Sequence, residues 1–473
     1  MPAVTTSALL WLGTLAGLPA LVAIASLLEL ELERLRRIAF AAASGLVAVA
    51  LAPAVAGSLR KLGLFTRGGE ALLRVNALSS VLLPFAAGLW LLTVAVTPRG
   101  SFDRAGHRRA ALATLTTLAS FLTESAVALL LLQAAAVMIF FFALNESADR
   151  HQRRVVAAYL GASTILLGGG VAMLVVGRSS GVETAGLWLI AMAALLRKGI
   201  LPFHAWVPEV FDHGRLGPAI LFSAPQVGAY ITVVLIIPRA PAGLLHTIAI
   251  LALATAIYGS ALALVEHSAR RACGYLFVSQ SALVMAGLGC GSATALAGGL
   301  LEWLSAGLAF AGLARVVLML EARRGRLDLT HYHGGYERTP MLAISFLALG
   351  LACAAFPGTL GFIGQELLVK GAVDVFPVMG YAIAVASALT GVAVVRMYFS
   401  LFCGRTDKPT HRSLHFELKR HEAAAFVALL VVLIGFGLGP RRLINSRLRA
   451  SRQILQLRRT PAMNLDARHS VLR

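Results

Sequence analysis

Apolar runs of about 20 residues, the length that crosses a bilayer as a helix, recur from end to end of this 473-residue chain. No gap between them is long enough for a soluble domain. Inside lipid only helices and closed barrels satisfy every backbone N–H and C=O, and runs this long and this apolar are helical. The chain therefore reads as an all-α polytopic membrane protein. Composition agrees: 58% of residues are hydrophobic and 14% charged, against about 25% charged in soluble domains. The first run, near Thr6 to Leu28, follows Met-Pro-Ala-Val-Thr, which lacks the positive stretch of a signal peptide, and reads as a membrane span.

The pattern predicts fourteen spans, near 6–28, 38–57, 75–97, 109–125, 127–145, 154–177, 184–206, 217–237, 242–265, 272–290, 294–320, 340–370, 378–402 and 422–439. With their flanking residues, the odd-numbered loops hold 22 Lys and Arg and the even-numbered ones 6, which puts the odd loops in the cytoplasm. Fourteen spans then leave the tail outside, although residues 441–473 contain nine arginines. An interfacial helix escapes the loop rule, and Leu443, Ile444, Leu448, Ile454 and Leu455 give the tail an apolar face. The formal net charge of +20 resides in these loops and the tail, where it meets anionic lipid headgroups, and it implies no nucleic-acid partner.

The seventh span carries two charges and then breaks, at Arg197-Lys198-Gly199-Ile200-Leu201-Pro202-Phe203-His204-Ala205-Trp206. A charge near the bilayer centre costs about 2.5–3.5 kcal/mol even on the lenient insertion scale, so two adjacent ones mark an ion path rather than an anchor. Proline interrupts the helix, which a membrane tolerates inside a bundle or beside a hydrated cavity. A second interruption, Phe356-Pro357-Gly358-Thr359, lies in span 12. Five spans separate Pro202 from Pro357, and an odd offset reverses orientation. The chain thus divides into helices 1–3 (1–108), a five-helix unit (109–237), its inverted counterpart (242–402), and a last span with the tail (403–473).

No redox or metal chemistry is visible. Cys273, Cys290, Cys353 and Cys403 form no CxxC pair, there is no GxGxxG, and His204, His246 and His267 do not pair for haem. His331 and His333 make a poor metal pair without other ligands, so no cofactor is expected.

From about Leu73 to Gly404 the chain resembles the antiporter-like subunits of respiratory complex I (chains L, M and N), of Mrp-type cation/proton antiporters and of membrane-bound hydrogenases. The run Arg197 to Glu209, RKGILPFHAWVPE, carries most of the resemblance. Arg270-Arg271-Ala272-Cys273-Gly274-Tyr275 with Ser279 and Ser281, Phe356-Pro-Gly-Thr, Val395-Arg396-Met397-Tyr398-Phe399 and Asn76-Ala-Leu-Ser79 add to it. The resemblance implies a fourteen-helix inverted-repeat bundle with broken helices 7 and 12, moving protons through ionisable side chains at the membrane midplane.

Carried over residue by residue, the match is uneven. Arg197 holds the position of the family's helix-7 lysine, but arginine stays protonated in proteins. Lys198, which can change charge, is turned about 100° around the helix from it. The helix-5 glutamate falls at Gln133, with Glu124 where the family often has aspartate. Helix 8 has Gln226, helix 11 has Glu302 at the usual histidine position with Ala306 following it, and helix 12 has Gln365 with Glu366 beside it. Glutamine hydrogen-bonds but does not titrate at physiological pH. The remaining charges suggest a displaced relay in which Lys198 and Glu366 act one residue from the family positions. Blander readings stand beside it. Glu124 and Arg197 neutralise each other; Arg315 and Lys370 snorkel from helix ends; Arg396 holds a backbone carbonyl or an acid; His204 is a hydrogen-bonded bundle residue.

The function expected is that of a membrane-arm subunit of a complex-I-like NADH:quinone oxidoreductase, with no redox centre of its own, in a prokaryotic cytoplasmic membrane. Other membrane subunits, peripheral redox subunits and protons are its expected partners. Alternatives are a subunit of a cation/proton antiporter or ion-driven uptake system, and a divergent scaffold that no longer conducts.

Overall fold

The computed structural model describes residues 6–28, 30–55, 63–67, 70–98, 102–144, 150–177, 179–404 and 420–459. Helices α1 (Thr6–Ala25) and α2 (Leu32–Val55) lead to an antiparallel hairpin of β1 (Gly63–Arg67) and β2 (Glu70–Arg74), in a segment expected as plain loop. Next come α3 (Ser79–Val96), α4 (Arg104–Leu122), α5 (Ala126–Leu144) and α6 (Arg150–Val176). The seventh pass is split into α7 (Ser180–Lys198) and α8 (Trp206–His213). The eighth is split into α9 (Leu216–Ser223) and α10 (Val227–Ile231), the latter running into a π-helical turn, Thr232–Ile236. α11 (Ala242–Val265), α12 (Ala269–Gly289) and the long α13 (Ala293–Arg324) follow. The twelfth pass is split into α14 (Pro340–Cys353) and α15 (Leu360–Val373), and α16 (Pro377–Phe402), α17 (Arg420–Leu438) and α18 (Arg441–Arg459) complete the chain.

Among the described residues, twelve helices are long and apolar enough to cross a membrane, with Leu216–Ile236 taken as one. α4, too rich in Thr, Arg and His to score as apolar, and the broken α14–α15 pair supply the other two of the fourteen passes. The alternation can be checked at both ends of the bundle. At one end Arg104 reaches Leu30 O (2.8 Å), Asp212 bonds Ser268 (2.7 Å) and Arg326 (2.8 Å), and Arg323 lies 3.6 Å from Glu422; all of these lie in or beside odd-numbered loops. At the other, Asn76 donates to Glu124 (2.9 Å), and Arg447 donates to Ala77 O (2.5 Å). The tail helix α18 therefore sits at the even-loop end. Its Ala450, Ser451 and Ile454 are buried against the bundle, where α18 packs on α13, and Arg441, Arg442, Arg449 and Arg452 remain exposed.

Short polar side chains start the helices. Asp103, Ser179, Ser268, Ser292 and Thr359 each accept from a backbone N–H of the first turn of α4, α7, α12, α13 and α15. α12 and α13 are buried along nearly their whole length and form the centre, whereas α5, α6 and α17 turn most of their surface outward. Glycine makes the central contact close. A Cβ at Gly298 would lie 2.3 Å from Leu368 N, and one at Gly371 2.1 Å from Ala295 N, so α13 and α15 touch backbone to backbone.

Candidate functional site

Three broken helices converge on the centre, and each break is satisfied internally, as a membrane demands. α7 ends at Gly199, whose positive φ of 68° is left-handed; its N–H bonds Leu195 O and Leu196 O, and Ile200 N follows to Leu195 O. Trp206 Nε1 donates to Leu196 O (2.9 Å), and Leu201 N donates to Thr255 Oγ1 (3.0 Å). The second break, at Ala224-Pro225-Gln226, was not expected from hydropathy, although Pro225 in mid-span was its signal. Gln226 there has φ 57°, a rare conformation for a residue with a Cβ, and Trp303 Nε1 from α13 donates to Pro225 O (2.9 Å). The third runs through Ala355 (φ 55°) and Gly358 (φ 90°) to the Thr359 cap.

Arg197 and Lys198, adjacent in α7, face different ways. Lys198 is buried and donates through Nζ to Gln226 Oε1. Arg197 is buried too, its guanidinium carbon 3.5 Å from the centre of the Phe222 ring, and its Nη1 has no hydrogen-bond partner. It lines a cavity of about 50 Å³ together with Gln133, whose two amide atoms also lack partners.

In the second half the buried acid is Glu302 of α13. Gln365 of α15 donates to its Oε1 (3.4 Å) and accepts from Ser387 Oγ (2.5 Å). Gln280 of α12 completes the shell. Oriented to suit its neighbours, its amide nitrogen donates to Glu302 Oε1 (2.9 Å) and Cys353 O (3.0 Å), while its oxygen accepts from Thr390 Oγ1 (3.3 Å). Gln280 was missed in the sequence because an amide in an apolar helix carries no charge to mark it. Buried polar side chains thus form a row in two parts, Gln133, Arg197, Lys198 and Gln226 in the first half and Glu302, Gln280 and Gln365 in the second, and no hydrogen bond among the described residues joins one part to the other. Lys198 and Glu302 are the two members able to gain or lose a proton at ordinary pH.

Other expected residues fall elsewhere. Glu366 is exposed on a face of α15 turned away from Gln365, as is Lys370 one turn on, so Glu366 does not join Lys198 in a displaced row. One residue of offset turns a helical side chain by about 100°, and here the amide rather than the acid faces inward. Glu124 does not neutralise Arg197: it lies at the even-loop end of α4, 3.6 Å from Arg74 and bonded to Asn76. Arg315 does not snorkel. Fully buried, it donates to Thr97 Oγ1 (2.5 Å), Thr93 Oγ1 (2.9 Å) and Gly217 O (3.3 Å), joining α13 to α3 and α9. Arg396 holds backbone carbonyls, as expected, donating to Leu264 O and to Glu266 O (3.0 Å) at the end of α11. The half-buried His204 ring sits edge-on to Tyr258, centroids 5.0 Å apart.

A bundle of membrane helices with broken central passes and a buried polar row defines a class of ion-handling membrane proteins. Residues 122–390 match the family described as NADH:quinone oxidoreductase/Mrp antiporter, transmembrane, and the chain belongs to that family. It is 25% identical over 265 residues to NADH-quinone oxidoreductase subunit M of Rickettsia typhi, which covers 54% of this chain and 53% of the relative. The chain thus matches about half the length of this curated relative. The fold extends further. A chain of respiratory complex I from Thermus thermophilus superposes with a TM-score of 0.82 at 19% identity, covering 94% of this chain and 99% of its own. A chain of the Mrp complex from Dietzia sp. gives 0.82 at 19%, covering 96% and 97%.

Proposed function

We propose that this chain is a membrane-arm subunit of a complex-I-like NADH:quinone oxidoreductase assembly in a bacterial cytoplasmic membrane, and that Lys198 and Glu302 carry protons through it. The observation that supports this reading is that each half of the bundle buries one titratable side chain, a lysine in the first and a carboxylate in the second, held by glutamine amides. Gln226 holds the lysine, and Gln280 and Gln365 hold the acid. Gln226 Nε2 and Glu302 Oε2 have no protein partner, so water is the bond open to each and the medium for transfer between the halves. Gln226, Gln280 and Gln365 orient the carriers without carrying charge. Residues 109–237 and 242–402 act as the two inverted units, each contributing one carrier, while 1–108 and 403–473 frame them. Neighbouring membrane subunits and peripheral redox subunits complete the assembly, and the exposed arginines of α18 meet anionic headgroups.

The test is proton flux in vesicles containing the intact complex purified from its own membranes. Lys198→Ala and Glu302→Gln are each expected to lower flux by tenfold or more with the complex still assembled; normal flux in both would refute the assignment. A second reading, a cation/proton antiporter or ion-driven uptake subunit without redox chemistry, draws support from the equal likeness to the Mrp chain. Co-purification separates the two: iron–sulfur and flavin chains favour the first, and membrane chains alone favour the second.

A further inference from the structure

The polar row leaves one charge unmet. Arginine keeps its proton in proteins, so Arg197 is a fixed positive charge deep in the bundle. Among the hydrogen bonds and ion pairs of the described residues, none places a carboxylate on it; its neighbours are the Phe222 ring and the cavity it shares with Gln133. An uncompensated buried charge of this kind is strongly destabilising.

The cavity answers for that charge in three ways. Its walls, formed by α4, α5, α7 and α9, include Arg109, Arg197 and Arg215 and, among the described residues, no Asp or Glu. Arg109 and Arg215, each with interactions of its own, are half-buried at the odd-loop end, and Arg197 and Gln133 are buried at the inner end, so the cavity leads inward from the surface. Two donors are unused at the inner end: Arg197 Nη1 and Gln133 Nε2. Phe140 and Phe222, stacked with ring centroids 4.0 Å apart, close the wall beside them with apolar surface. At about 50 Å³ the space suits one small ion with a few waters.

We propose that this cavity binds a small monovalent inorganic anion, of the chloride class, held between Arg197 Nη1 and Gln133 Nε2 and drawn in past Arg215 and Arg109. The anion takes the place that a carboxylate at position 133 would fill, as an exchangeable counter-ion rather than a covalent one. The site stands on the cavity alone. Where Lys198 carries protons, as proposed above, the anion lies beside that carrier and tunes it, but binding is read without any flux.

The experiment is chloride NMR line broadening on the purified intact protein in neutral detergent, titrated with sodium chloride, alongside thermal unfolding of each sample. The wild type is expected to give saturable broadening. Gln133→Glu, which supplies its own carboxylate, is expected to lower apparent affinity at least tenfold while unfolding no earlier than the wild type. Arg442→Gln with Arg449→Gln, on the exposed face of α18, is expected to leave binding unchanged. Full binding in Gln133→Glu, or loss of binding in the α18 variant alone, overturns the proposal by placing the ion on surface arginines. No saturable broadening in the wild type overturns it as well. Loss of proton flux in Lys198→Ala leaves each of these readings as it stands, so the two proposals fail separately.

Discussion

The two halves of the bundle solve the burial of charge in opposite ways. Around α7–α10 the charges are positive, adjacent and sparsely met: Lys198 has the Gln226 oxygen, Arg197 has an aromatic face and a cavity, and Gln133 bonds to nothing in the protein. Around Glu302 the charge is one carboxylate wrapped in amides and hydroxyls, with Gln280 and Gln365 anchored in turn on Cys353, Thr390 and Ser387. The first region is open and leaves donors free. The second is close-packed and nearly closed. A fold that repeats its broken helices need not repeat its chemistry, and the difference follows from packing: glycines bring α13 and α15 into backbone contact, whereas a cavity separates α5 from α7.

The largest expected effect breaks the closed region mechanically. A side chain at Gly371 must enter the space of Ala295 N, which no rotamer change relieves. Gly371→Leu is expected to exceed the ~1–3 kcal/mol of ordinary overpacking and to abolish the folded, assembled protein in membranes. At Gly88, where an added Cβ meets nothing within 4 Å, the same substitution should leave yield and thermal unfolding near wild type. Equal yields from both variants would show that the α13–α15 contact is looser than its geometry.

A milder pair sets the two regions side by side with one substitution. Gln280→Leu removes a donor from Glu302 and from the Cys353 carbonyl and leaves Thr390 Oγ1 facing hydrocarbon. Stranded buried groups of this kind cost about 1–3 kcal/mol, and proton flux should fall with them. Gln133→Leu removes an amide that bonds to nothing in the protein, so its unfolding temperature should stay within a degree or two of wild type. Equal destabilisation by the two would erase the contrast, and a larger loss for Gln133→Leu would reverse it.

How far the sequence announced this arrangement depends on which force was at work. Lipid leaves a helix few alternatives, so most of the spans could be read from apolar length, and Pro202 and Pro357 marked two of the breaks. Pro225 marked the third just as plainly, but its span is apolar on both sides and hydropathy ran through it. Rotational detail was out of reach. Whether Gln365 or Glu366 faces inward depends on how α15 meets α13, a contact that Gly298, Gly364 and Gly371 set between segments more than 60 residues apart. Arg315 read as a residue that snorkels because its partners Thr93 and Thr97 lie on α3, 222 and 218 residues away. Pattern within a helix shows what it must bury, while the partner for a buried polar group comes from tertiary packing.

The smallest effect addresses whether the two regions communicate. Trp303 follows Glu302 in α13, and its indole N–H bonds Pro225 O, the carbonyl next to the residue that holds Lys198. That bond ties the closed acidic region to the break of the open basic one. Trp303→Phe keeps most of the aromatic volume and removes the donor, at an expected cost of about 1 kcal/mol to unfolding. If the bond does no more than hold two helices together, proton flux should fall no further than the loss of folded protein explains. If it fixes the Gln226 turn against Glu302, flux should drop several-fold at constant folded protein, because a misplaced Gln226 leaves Lys198 without its acceptor. Flux measured per assembled complex, beside the unfolding temperature, separates these outcomes. An unchanged flux would mean that the lysine and the carboxylate are positioned independently, each by its own half of the bundle.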